Sequence, residues 1–340
     1  MSTNGTQESL SPEVIRQTIA DTEAFLAAAD RNQRQAAYHE AWEYIEGLYT
    51  EFAPQASQRV RSLGTLIGAN ALTFVGLRYG FNDTHPGLYG GDVEQDVIAT
   101  YHHAGHTRGV IRDMFRYAAV VNQQDPETYT EDSLLRIPVV GGFHDAIIGS
   151  GRGVDERLSA ALAVYFMDGI GAALLTDPET SVGICASIWN PVLQRQSVNP
   201  GLGYLPMQRA MAVGDMMPLF DERGPYEGVA HGIEELSKVM YDRIYTMEAR
   251  AAGFRLAGRS VDECVEFIDS REALRRAYGN YLGRQVNLFR TFQPADPRLD
   301  EMFTGRPLNV QRMEDLHQNY MAGKLNAIGT LAVSRNYLLG

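Results

Sequence analysis

Residues 134–145, Leu-Leu-Arg-Ile-Pro-Val-Val-Gly-Gly-Phe-His-Asp, constrain the fold more than any other stretch of the chain. A run this apolar settles only by burial, and it ends with an imidazole and a carboxylate side by side, followed at once by Ala146-Ile147-Ile148. Burying both polar groups is costly unless something compensates them. A metal ion is the simplest compensation.

A second histidine-rich stretch, Tyr101-His102-His103-Ala104-Gly105-His106, lies upstream. Val97, Ile98, Tyr101, Val110, Ile111 and Met114 recur at spacings of three and four, which predicts a helix running through it. On such a helix His102 and His106 are i and i+4 and face one pocket. A third stretch, Arg209-Ala210-Met211-Ala212-Val213-Gly214-Asp215-Met216-Met217, sets one carboxylate among apolar neighbours. An ionised, unpaired Asp215 there is expensive, so it is read either as a metal ligand or as a buried, hydrogen-bonded acid.

Together these residues resemble the HD-domain superfamily of metal-dependent phosphohydrolases, in which a helix-borne histidine, a His-Asp doublet and a distant aspartate gather one or two divalent ions. The string Tyr101 to His106 is most similar to the Tyr-His-Asn-x-x-His helix of the cyclic-nucleotide phosphodiesterase branch, and the likeness spans roughly residues 92–245. It implies an all-α fold, with an HD-type helical core carrying N- and C-terminal helical extensions. It also implies that His106, His144, Asp145 and Asp215 hold an ion, a donor set that suits Mn, Mg, Zn or Fe without selecting among them. Asp145 would bridge to a second ion, helped by Asp177. The latter stands before Pro178 and has an equal reading as a helix cap. In that branch a histidine of this helix protonates the leaving alkoxide, a role that falls to His102 or to His103, which stands where the branch usually has Asn. Glu156, Ser159 and Ala160 keep a Glu-x-x-Ser-Ala pattern found after the doublet.

Departures from the family narrow the expectation. Ile148 stands three beyond Asp145, where other branches carry Lys or Glu, and no histidine occurs from 146 to 230, where the two-iron relatives place more. The glutamine that clamps a purine in the cyclic-nucleotide enzymes has no defensible counterpart. The expected function is hydrolysis of a phosphomonoester or phosphodiester. The alternatives are an HD-type di-iron oxygenase and a non-catalytic HD scaffold.

A net charge of −12 over 340 residues argues against nucleic acid as the main ligand and leaves room for a small anionic substrate. Cys185 and Cys264 form no C-x-x-C pattern, which points to a reducing cytoplasm and excludes a thiolate zinc site. The expectation is a cytoplasmic protein without membrane segments, since neither a basic-then-apolar leader nor an apolar run of membrane length stands out.

Residues 1–10 are polar and read as disordered, 11–91 as an N-terminal helical extension, 92–245 as the metal-binding core and 246–340 as a C-terminal helical extension. The last either packs as one domain with the core or builds a homo-oligomer interface. Ser11-Pro12-Glu13-Val14 is a helix start, and 80–92 are turn formers that include His85. Pro138, lacking an amide proton, is expected in the first turn of a short buried helix running through Asp145. His39, His231 and His317 have no partner at ligand spacing and are read as structural or surface residues.

Overall fold

The computed structural model describes residues 11–80, 102–148, 154–169, 206–220, 252–254, 261–291 and 306–325. Asp177, His85, His231 and Cys185 lie outside the described residues. Among the described residues every regular element is an α-helix: α1 (Pro12–Ala28), α2 (Arg31–Phe52), α3 (Gln58–Tyr79), α4 (Ala104–Gln124), α5 (Glu131–Phe143), α6 (Asp155–Gly169), α7 (Pro206–Phe220), α8 (Val261–Asp269), α9 (Glu272–Thr291) and α10 (Arg306–Met321). The fold is all-α.

Side-chain caps set several of the starts. Ser11 accepts the amide of Val14 ahead of Pro12, Asp30 accepts that of Gln33, and Ser57 accepts that of Val60. Glu131, in the first turn of α5, accepts both the amide (2.7 Å) and the hydroxyl (3.1 Å) of Ser57. One carboxylate thereby fastens the start of α5 to the start of α3.

Helices α2, α3, α4 and α5 pack around one apolar core, with α7 laid against α4 and α5, and α6 bridging α5 and α1. Tyr49, Phe74, Phe115, Phe143, Ile45 and Ile67 are fully buried there. Each contributes on the order of 1.5–3 kcal/mol of transfer free energy. Helix α3 lies at the centre and, contrary to the expectation above, is by length and composition apolar enough to cross a membrane. Its neighbours explain the composition, because 67% of its most apolar window is buried inside the protein.

The structure also corrects the reading of Pro138. It sits in the middle of α5, which begins at Glu131 and ends at Phe143, so His144 is the C-cap and Asp145 lies beyond the helix. An interior proline leaves the carbonyl four residues back without its helical donor. That carbonyl belongs to Leu134, and the Tyr49 hydroxyl on α2 donates to it at 2.9 Å. Gly64 on α3 makes room for this bond, since a Cβ there would fall 2.0 Å from the Tyr49 hydroxyl.

Candidate metal centre

Four donor atoms converge where α4, α5 and α7 meet. His106 lies in the first turn of α4, His144 caps α5, Asp145 follows it, and Asp215 projects from α7. His106 Nε2 is 3.1 Å from His144 Nε2, 3.7 Å from Asp145 Oδ2 and 3.6 Å from Asp215 Oδ1. His144 Nε2 is 2.9 Å from Asp145 Oδ2 and 4.0 Å from Asp215 Oδ1. Bonds of about 2.0–2.2 Å to one divalent ion would put adjacent donors about 3.0–3.4 Å apart and opposite donors about 4.2 Å apart. The separations run from 2.9 to 4.0 Å, close to that range, and His106, His144 and Asp215 meet the geometry of a ligand group as a trio, with Asp145 against both imidazoles.

Each donor is aimed by its local structure. His144 Nδ1 donates to the Gly141 carbonyl at 2.7 Å, which in the neutral ring leaves the Nε2 lone pair directed at the cluster. Asp215 is brought close by Gly214, where a Cβ would lie 2.7 Å from Met114 and 2.8 Å from the Val110 carbonyl on α4. Only a glycine lets α7 approach α4 so closely. The segment after the doublet is gripped from two sides. Ser159 on α6 accepts the Ile147 amide (2.9 Å) and donates to the Ile147 carbonyl (3.4 Å). Tyr79 at the end of α3 accepts the Ile148 amide (3.0 Å) and donates to the Ala146 carbonyl (3.2 Å).

The electrostatics divide the histidines. Burial dominates at His106 and lowers its pKa to about 3, so it is neutral, the form in which imidazole binds metal. Burial also works against a charged His144, but the Asp145 and Asp215 carboxylates outweigh it and raise the pKa. Asp145 is held well below the usual carboxylate range. There burial pushes upward, and His144 and His102 pull down more strongly. Asp145, Asp215 and His102 keep 23%, 26% and 25% of their side-chain surface exposed, while His106 and His144 are buried, so the cluster has one open side.

His102 and His103 differ from the helical expectation, because α4 begins only at Ala104. His103 is its N-cap, accepting the Gly105 amide through Nδ1 at 3.0 Å. That cap stops the helix short of His102, so His102 and His106 are not an i and i+4 pair on one helix. His102 nonetheless stands at the cluster, with Nε2 3.8 Å from Asp145 Oδ2 and its ring centroid 6.0 Å from that of His106. The structure thus brings together His102, His106, His144, Asp145 and Asp215 and gives His103 a capping bond. His39 is exposed beside Glu43, and His317 lies on α10 against Gly283. Sequence reasoning missed Tyr79, which had no signal beyond ending an apolar helix.

No protein-family model, curated protein or solved structure matches the chain.

Proposed function

We propose that the chain is a divalent-metal-dependent phosphohydrolase of HD type, acting on a phosphomonoester or phosphodiester of a small anionic molecule such as a nucleotide. The observation that carries this reading is the convergence of Asp145 and Asp215 on the His106 and His144 imidazoles at 2.9–4.0 Å, drawn from three separate helical regions. A bound divalent ion, one or two of Mn, Mg, Zn or Fe, would acidify water and draw charge from a phosphoryl oxygen.

In this reading the four side chains hold the ion. His102, partly exposed at the open side, delivers a proton to the departing oxygen, and Asp145 at 3.8 Å orients its ring. His103 has its Nδ1 engaged in the α4 cap, which favours His102 for this role.

The test is elemental analysis of the purified protein followed by a panel of phosphomonoesters and phosphodiesters, on wild type and Asp145→Ala. Stoichiometric divalent metal, with turnover that disappears in Asp145→Ala, supports the reading. Bound metal without turnover of any ester overturns it in favour of a scaffold, and stoichiometric iron with a mixed-valence signal and O₂ uptake overturns it in favour of an oxygenase.

A further inference from the structure

Away from the histidine cluster, a cavity of about 330 Å³ opens between α1, α2, α3 and α6. That volume lies at the lower end of the range for small organic ligands, about 300–1,000 Å³. One wall is aromatic: Phe74 on α3 is fully buried, Phe166 on α6 packs on it at 6.3 Å between centroids, and Tyr38 on α2 adds a third ring. The remaining wall is polar, with Asn70, Arg31 and Arg34.

Neither arginine is neutralised by the fold around it. Arg34 donates to the Leu26 carbonyl at 2.9 Å across the α1–α2 turn, which fixes its guanidinium at the cavity. Among the described residues neither Arg31 nor Arg34 is paired with a carboxylate. The nearby Asp30 spends its Oδ1 on the Gln33 amide. Cations in the first turn of a helix are disfavoured by its dipole, and the acid at this start, the N-cap Asp30, answers the helix amides rather than the guanidiniums. In a chain with 42 acidic and 30 basic residues, two unpaired guanidiniums beside one cavity make a local reversal of charge.

We infer that this cavity is a second ligand site, for a small organic anion: a carboxylate or phosphate attached to a flat apolar body. The guanidiniums supply forked donors for the anionic group, and the phenyl rings stack on the body. Asn70 adds a polar contact at the rim. The inference stands on residues outside the histidine cluster and does not depend on the metal reading.

Titration calorimetry on the full-length protein, stripped with a chelator and desalted, tests it with three probes: phenyl phosphate, benzoate and neutral benzyl alcohol. At least one anion should bind saturably at one site per chain, with benzyl alcohol far weaker, and the tighter anion identifies phosphate or carboxylate as the preferred group. Arg31→Gln/Arg34→Gln should weaken that anion about tenfold or more, since charge-assisted hydrogen bonds are lost. Arg31→Lys/Arg34→Lys should recover part of the loss. Both arginines are exposed, so an unchanged melting transition confirms that the variants fold. Two results would overturn the inference: no saturable binding of either anion up to about 10 mM, or equal affinity in wild type and the glutamine variant, which would put the anion elsewhere.

Discussion

Asp113 and Asp145 are two carboxylates of the same helical interior, and the molecule accommodates them differently. Asp113, in the middle of α4, is fully buried and takes a two-pronged ion pair from Arg112, with Nε to Oδ1 at 2.8 Å and Nη2 to Oδ2 at 3.0 Å. Asp145 lies a quarter exposed beyond α5, and among the described residues the imidazoles of His102, His106 and His144 surround its carboxylate. A guanidinium is always charged and neutralises an acid permanently. Imidazoles keep lone pairs that a cation can use, and they shed protons to do so. The first arrangement is therefore closed and the second is open to a ligand, although one acid lies on α4 and the other packs near its start.

The contrast can be broken most severely at Asp145. Asp145→Ala or His144→Ala should abolish metal retention, read by elemental analysis after gel filtration, and reduce phosphoester turnover to background. Metal that stays bound in both variants would place the ion elsewhere. His102→Ala should keep the metal and slow turnover by roughly 10²–10⁴, the usual worth of a positioned acid. Equal metal loss in this variant would make His102 a ligand instead.

A smaller effect is expected at Tyr79→Phe, which removes the hydroxyl gripping residues 146–148 without touching a donor atom. Metal affinity should fall about 10- to 100-fold, as for other groups that orient ligands, and competition with a chelating dye measures it. At Asp113→Asn the change should appear in stability alone. Arg112 keeps 39% of its side chain exposed, which discounts the cost of breaking the pair to about 1–3 kcal/mol in urea unfolding, with metal content unchanged. Loss of metal from Asp113→Asn would erase the distinction between the two acids.

Much of the candidate centre was legible because His144-Asp145 and Asp215 interrupt apolar stretches. Asp215 among alanines and methionines, and His144-Asp145 after Phe143, announce a compensated burial from composition alone. The local geometry was less legible. The helical periodicity around His106 continues upstream, so the pattern placed His102 on the helix, whereas a bond from the His103 ring to the Gly105 amide starts α4 later. Asp113 follows an arginine in sequence, and nothing in that dipeptide reveals that its carboxylate is buried.

Local sequence determined that this chain forms helices, where several of them begin, and which side chains are too polar for their surroundings. These follow from caps and periodicity, which act over a few residues. Tertiary structure alone decided that Pro138 can sit inside α5, because the donor that satisfies Leu134 comes from Tyr49 on α2. It likewise decided that Tyr79 and Ser159 hold the turn after Asp145, and that Gly214 lets Asp215 reach the imidazoles. Hydrogen bonds and close approaches between residues distant in the chain carry no local signature, since they depend on how packed helices are placed against one another.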